Sequence, residues 1–161
     1  MEQIRFHGWN VGRELGAEVE MTITLERRRD WRTRLNAYLV EIKTAGIVWG
    51  AHDCAVGLAA RAVEEMTGVD LATRWRGRYD SASSALRMMR EDGFDDLEHL
   101  GRSLLPAVPA CMGQIGDIAL VPDETGIGAL GVVIGDRIMV LNGTGIGTVD
   151  LLSASVVFRV G

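Results

Sequence analysis

The feature that most constrains the fold of this chain is a change of sequence pattern near Gly116. Before that position apolar residues recur at helical spacing, whereas after it short β-branched runs alternate with Gly, Asp and Asn turns. These runs read GDIALV, ALGVVIG, RIMVL and ASVVFRV. Helices followed by hairpin-forming strands predict an α+β fold, with N-terminal helices packed on a C-terminal antiparallel sheet or small barrel.

The region before the strands predicts four helices. The first covers about 26–44, and the last two cover 81–92 and 95–104. Between them, a helix is expected to begin at Asp53, a residue type favoured at N-caps, and to end at Gly68. Because apolar residues surround this second helix almost completely, we expect it to lie at the centre of the core.

The length of the chain limits the number of domains that it can form. A sequence of 161 residues is long enough for one hydrophobic core but short for two ordinary domains. We therefore expect one domain over 26–161, preceded by an extension or arm over 1–25 that shows no sustained periodicity. There is no apolar run of membrane-spanning length and no secretory signal pattern at the start. These features predict synthesis and folding in the cytoplasm without membrane insertion.

The net charge and the spacing of the cysteines limit the classes of ligand that we expect this chain to bind. The net charge of -5 opposes binding to nucleic acid, and the basic stretch at 26–34 is interpreted as a solvated helix face. Cys54 and Cys111 lack CxxC spacing, so we expect no structural disulfide. With three scattered histidines they also make no zinc pattern, and neither a metal nor another cofactor is predicted.

Cys54 is the candidate reactive residue. A thiol at the start of a helix has a lowered pKa, because unpaired amides and the helix dipole favour the thiolate. Asp53 would cap that helix, while Trp49 and Gly50 would supply an aromatic wall and a flexible approach. The alternative is that Cys54 is a small buried hydrophobic residue that opens a core helix. The spacing alone leaves both interpretations open.

The segment WGAHDC, followed by an apolar helix and later by GDIALV and ALGVVIG, resembles the NlpC-type papain-like cysteine peptidases, which cut peptide stems of the bacterial cell wall. The resemblance implies that Cys54 occupies the nucleophile position, Ala129 the histidine position and Asn142 the position of an orienting residue. Alanine can neither accept a proton from a thiol nor protonate a leaving amine. His52 is the candidate substitute base, and its alternative is a polar turn residue ahead of the N-cap.

A longer set of segments adds TGVDLATRWRGRY and a terminal FRV, and it resembles a small family encoded in tail modules of tailed phages and gene-transfer agents. The resemblance implies a virion tail component at a tail tip or baseplate, made in the bacterial cytoplasm, with other hub proteins as partners. The alternative for WRGRY is a loop anchored by its tryptophan, with its arginines in solvent. The candidate binding residues are Trp49, Asp53, Trp75, Arg76 and Tyr79.

Three functions remain as expectations. The first is a structural component of a phage-type tail tip or baseplate hub, derived from a cell-wall cysteine peptidase and catalytically degenerate because position 129 is alanine. The second is an active cysteine hydrolase, a peptidoglycan endopeptidase or amidase, which uses Cys54 on stem peptides and helps the tail penetrate the cell wall. The third is a cytoplasmic binding domain unrelated to phages.

Overall fold

The computed structural model describes residues 24–161, in which four α-helices precede all six strands. A π-helical segment, Cys54–Ala59, leads directly into the second α-helix, so that the two form one continuous rod. The α-helices are α1 (Trp31–Glu41), α2 (Ala60–Thr67), α3 (Ala82–Glu91) and α4 (Leu97–Leu104). All four helices therefore form where sequence periodicity predicted them, with boundaries that differ by a few residues.

Six strands form one sheet, in which every neighbouring pair is antiparallel. They are β1 (Ala107–Val108), β2 (Ile118–Val121), β3 (Ala129–Val133), β4 (Arg137–Asn142), β5 (Gly145–Asp150) and β6 (Val156–Phe158). Their order is β1-β6-β2-β3-β4-β5, which leaves β1 and β5 at the edges. The predicted α+β class and antiparallel sheet are confirmed, and the four β-branched runs correspond to β2, β3, β4 and β6.

Two strands have no counterpart in the sequence prediction, and both lie at the sheet edges. β1 has only two residues and follows Pro106, while β5 carries two glycines in the sequence GIGTVD. β1 is too short to show an alternating pattern, and glycine occupies two of the six positions of β5. They become strands because β6 and β4 offer them unpaired backbone groups, which is a tertiary effect.

The main core lies between the helices and one face of the sheet. The rod that begins at Cys54 packs against β3 and α1, and Leu58, Ala62 and Met66 along it have 0% exposure. Its outer side reaches water, where Arg61 pairs with Glu64 and Glu65. This central position agrees with the prediction from its nearly continuous apolar surface.

The first helix begins later than predicted, because the residues ahead of it contact distant parts of the domain. The helix starts at Trp31 rather than near residue 26, and Arg27 instead reaches across the domain. Its guanidinium donates to the carbonyl oxygens of Val160 at 2.6 Å and Ile115 at 2.7 Å, and it stacks 4.2 Å from the centre of the Trp31 ring. The interpretation of 26–34 as a wholly solvated face is therefore wrong for Arg27.

A buried carboxylate ties the two ends of the domain together. The side chain of Asp117, with 0% exposure, pairs with Arg27 and Arg159, each at 3.1 Å. It also accepts from the backbone amides of Gln114 at 2.9 Å and Val160 at 3.0 Å. Since each of its oxygens has two donors, the buried charge is fully compensated.

The predicted extension over 1–25 falls almost entirely outside the described residues. At its end, Leu25 is buried at 6% exposure and belongs to the main core. None of the helices in the described range 24–161 is both long and apolar enough to cross a membrane.

Candidate functional site

Cys54 is the first residue of the rod, and the residue before it caps the rod as predicted. The Oδ1 atom of Asp53 accepts from the backbone amides of Ala55 and Val56, both at 2.9 Å. The amide of Leu58 donates to the Asp53 carbonyl at 2.8 Å, and this five-residue spacing is that of a π-helix. The opening turn is therefore wider than that of an α-helix and is held by one aspartate.

The second oxygen of Asp53 connects the cap to two neighbouring segments. Its Oδ2 atom accepts from the amide of Gly50 at 3.0 Å and from the hydroxyl of Tyr79 at 2.5 Å. Gly50 has a positive φ of 78°, and a Cβ there would collide with the Tyr79 carbonyl oxygen. The WGAHDC and WRGRY motifs therefore meet at one buried carboxylate, which has only 2% exposure.

Arg76 supports the rod from outside. Its guanidinium forms a two-pronged pair with Asp70, at 2.8 and 3.0 Å, and donates to the carbonyl oxygen of Val56. The next carbonyl, that of Gly57, accepts from the hydroxyl of Tyr38 at 3.3 Å. The structure thus gives Arg76, a candidate binding residue, a supporting role, and the alternative that leaves it in solvent is not what these contacts show.

A pocket of about 360 Å³ opens beside Cys54, between the start of the rod, the WRGRY segment, α3, α4 and the β2–β3 loop. Four of the five predicted binding residues line it, and Arg76 does not. Its apolar wall also includes side chains that the sequence prediction did not single out, among them Leu86, Met88, Met89, Phe94 and Leu100. Apart from Phe94, which lies between the two helices, their signal was present only as the apolar face of the amphipathic helices α3 and α4.

The loop between β2 and β3 supplies further polar atoms to the pocket that sequence reasoning missed. Asp123 and Thr125 line it, and Asp123 accepts from the Thr125 amide at 2.9 Å and hydroxyl at 2.5 Å. These bonds, together with the amide of Gly128 at 3.2 Å, keep the pKa of the Asp123 carboxyl below its usual value, the Thr125 hydroxyl being the largest cause. Asp123 is therefore ionised at neutral pH.

Burial raises the pKa of the Cys54 thiol to about 11, and the negative charges of Asp53 and Asp123 add to the rise. The Leu130 backbone amide opposes it without cancelling it. Of the two interpretations left open by the sequence, the structure therefore favours the partly buried, neutral thiol over the acidic one, mainly because of burial and also because Asp53 occupies the amides of Ala55 and Val56. These amides cannot also stabilise a thiolate.

The backbone amide of Leu130 approaches the Cys54 thiol, and its nitrogen is bonded to the carbonyl carbon of Ala129, so the backbone of Ala129 lies near the cysteine although this residue does not line the pocket. The alanine begins β3 and carries no group that can exchange a proton. The strand that carries the position assigned by the resemblance to a histidine therefore passes Cys54, and that position holds a residue that cannot exchange a proton.

The other predicted polar residues do not line the pocket. The Asn142 side chain accepts from the amide and hydroxyl of Thr144, at 2.9 and 3.0 Å, and so closes the β4–β5 hairpin. His52 lies in a bridge with Val48, and its Nε2 atom is buried without a hydrogen-bond partner among the described residues. His99 accepts from the amide of Asp95 on the start of α4. Within residues 24–161, neither histidine lines the pocket of Cys54, and no cluster of three or more metal-ligating side chains occurs.

Alkylation of Cys54 by iodoacetamide is expected to be slow at neutral pH and to keep accelerating up to about pH 11. A thiol pKa two units above the ordinary value lowers the thiolate fraction about 100-fold at pH 7.5. The rate should be measured against pH in a Cys111→Ser variant, with a Cys54→Ser variant reporting the exposed Cys111. A rate for Cys54 that levels off below pH 9 would contradict the raised pKa.

The comparison with known families agrees with the extent of the folded domain. Residues 26–160 match the family described as Domain of unknown function (DUF6950). No curated protein matches the chain.

Proposed function

The chain belongs to the DUF6950 family, and we propose that it is a papain-like, NlpC-type domain that has lost catalysis and serves as a structural component of a phage-type tail tip or baseplate hub. One observation carries the loss of catalysis. The Cys54 thiol has a raised pKa, neither described histidine lines its pocket, and the neighbouring strand β3 begins with Ala129, which can neither take nor give a proton.

The architecture supports the finer fold assignment. A cysteine at the start of a central helix packs against an antiparallel sheet, and the sheet strand next to it is the one that the resemblance assigns to the histidine. The order of the elements, with the cysteine-bearing rod before β2, β3 and β4, is also the order that the NlpC-type resemblance implies.

The chemistry argues against hydrolysis by this chain alone. A papain-like reaction needs a thiolate to attack a carbonyl carbon and an acid to protonate the leaving amine. Cys54 is a neutral thiol at pH 7, and loss of general acid-base assistance costs about 10² to 10⁴ in rate. Scaffolding and binding need neither group.

The tail location rests on the resemblance of WGAHDC, WRGRY and the later strands to proteins of tail modules. In the structure, WGAHDC and WRGRY both contribute residues to the wall of the pocket. Trp75 donates its indole N–H to Asp92 at 2.7 Å, and Tyr79 donates to the capping Asp53. These bonds hold an aromatic surface around the pocket, which suits a domain that is kept for binding and assembly.

Tail assembly can be tested by following a C-terminally tagged chain in its own bacterial host. After particles are induced and banded on a density gradient, the tag is expected to comigrate with intact tails and to be labelled by immunogold at the tail tip. A tagged cytoplasmic protein of the same host serves as the control for carry-over. Recovery of the tagged chain only in the particle-free fraction would contradict the proposal.

The alternative of an active cysteine hydrolase has one observation in its favour, which is that Cys54 lines an open pocket. It requires a base from outside the described residues, because within them neither histidine lines that pocket. Its decisive test is digestion of cell-wall sacculi by the natural chain compared with Cys54→Ala.

A further inference from the structure

The pocket beside Cys54 is lined by apolar side chains and by acidic groups, without basic ones among residues 24–161. Most of its wall is apolar and aromatic, and Trp49, Trp75 and Phe94 are among its lining residues. Every ionisable side chain that lines it is of the acidic kind, namely Asp53, Cys54, Tyr79 and Asp123, and within residues 24–161 it is lined by no lysine, arginine or histidine. A volume of about 360 Å³ lies within the usual range for small-molecule sites.

The negative charge at this pocket is not neutralised by nearby cations. Asp53 receives four hydrogen bonds but forms no ion pair with the described residues, and Asp123 is bonded only to neutral groups of its own loop. Arg74 stacks on the Trp75 ring at 4.8 Å, yet its charge is paired with Asp92 at 3.1 Å. An anion placed here would meet two carboxylates and no free positive charge among these residues.

We propose that this pocket is a binding site for a small amphiphile whose apolar chain lies among the aromatic and methionine side chains and whose polar end is a cation, as in an alkyl ammonium ion. The apolar wall supplies affinity by burying the chain. The carboxylates and aromatic rings supply the preference for positive charge.

The two parts of such a ligand have separate places in the pocket. Met88 and Met89 on α3 and Leu97 and Leu100 on α4 lie on the apolar side. Asp123 is exposed on the β2–β3 loop, so an ammonium group can reach it while keeping contact with water. A carboxylate end would lose hydration there and meet Asp123 instead, which is the physical basis of the expected selectivity.

The inference does not depend on the proposed tail function, since it concerns only the pocket. Success or failure of the tail experiment therefore leaves the ligand test unaffected.

The test is an NMR titration of the whole chain, labelled with ¹⁵N, with four probes: octylamine, octanol, octanoate and ethylamine at neutral pH. We expect saturable shifts of pocket amides with octylammonium, at an affinity at least about tenfold higher than that of octanoate. Octanol should bind with intermediate affinity, and ethylammonium should not saturate, because it lacks the chain. The same shifts with octanoate at equal or higher affinity, or no saturable shifts with octylammonium, would overturn the proposal.

Two variants locate the site. Asp123→Asn keeps the acceptor oxygen that closes the loop but removes the charge, and it is expected to lower octylammonium affinity about threefold to fivefold while leaving octanol unchanged. Glu124→Gln, a neighbouring exposed residue that does not line the pocket, is the matched control and should change neither. Ala85→Phe should fill the pocket and abolish both, with its own spectrum reporting that it is folded. If Asp123→Asn and Glu124→Gln lower the affinity for octylammonium equally, the cation is attracted by net charge alone, and the proposed site is overturned.

Discussion

The Asp117→Asn variant is expected to lose about 3–5 kcal/mol of its free energy of unfolding. Asp117 has no exposure, and both of its neighbouring cations, Arg27 and Arg159, are themselves mostly shielded from water. The amide would leave two guanidinium groups without a counter-charge and present N–H donors where the backbone of Gln114 or Val160 already donates. Because Arg27 and Val160 lie near the two ends of the described chain, the loss should loosen both ends.

Urea denaturation followed by far-ultraviolet circular dichroism measures this loss. The matched control is Asp136→Asn, an exposed aspartate in the turn before β4, which should change stability by no more than about 0.5 kcal/mol. A loss below about 1 kcal/mol for Asp117→Asn would show that both arginines turn to solvent and that the pair contributes little.

The second large effect is expected from Ala129→His, which on the proposed papain-like arrangement introduces an imidazole next to the Cys54 thiol. An imidazolium within a few ångströms stabilises the thiolate, so alkylation of Cys54 by iodoacetamide at pH 7 should accelerate about 10- to 100-fold over the natural sequence. The measurement is made in a Cys111→Ser background. Leu152→His, at a position with 70% exposure in the turn after β5, is the control for adding a histidine elsewhere.

Digestion of purified cell-wall sacculi extends the same comparison to catalysis. The natural chain should leave stem peptides uncut by mass spectrometry, as should Cys54→Ala. Cleavage by the natural chain that disappears in Cys54→Ala would refute the degenerate site and support the active hydrolase. An unchanged alkylation rate in Ala129→His would instead show that residue 129 does not face the thiol.

The parts of the site that could be predicted from sequence are those set by neighbouring residues. Asp53 caps the helix because an aspartate before an apolar run meets the free amides of the first turn, and this depends only on local spacing. The strands β2, β3, β4 and β6 were likewise predictable, since each buries a β-branched run bounded by turn residues.

The parts that could not be predicted depend on contacts between distant segments. The pairing of Arg76 with Asp70 and Val56, and the loop position of Asp123 at the pocket, join residues whose separation in sequence carries no periodic signal. Asn142, which the resemblance assigns as an orienting residue, does not line the pocket. Its side chain instead accepts hydrogen bonds within the short β4–β5 hairpin turn.

The amino-acid sequence by itself determined the α+β class, the central apolar helix and the start of that helix at an aspartate followed by a cysteine, because periodicity and capping act over a few residues. Only the tertiary structure decided the ionisation of Cys54 and the character of its pocket. Helix position alone favours a thiolate, but burial and two carboxylates, one contributed by a distant loop, reverse that preference. Solvent exclusion and long-range charge depend on the packing of the whole domain, and no local pattern records them.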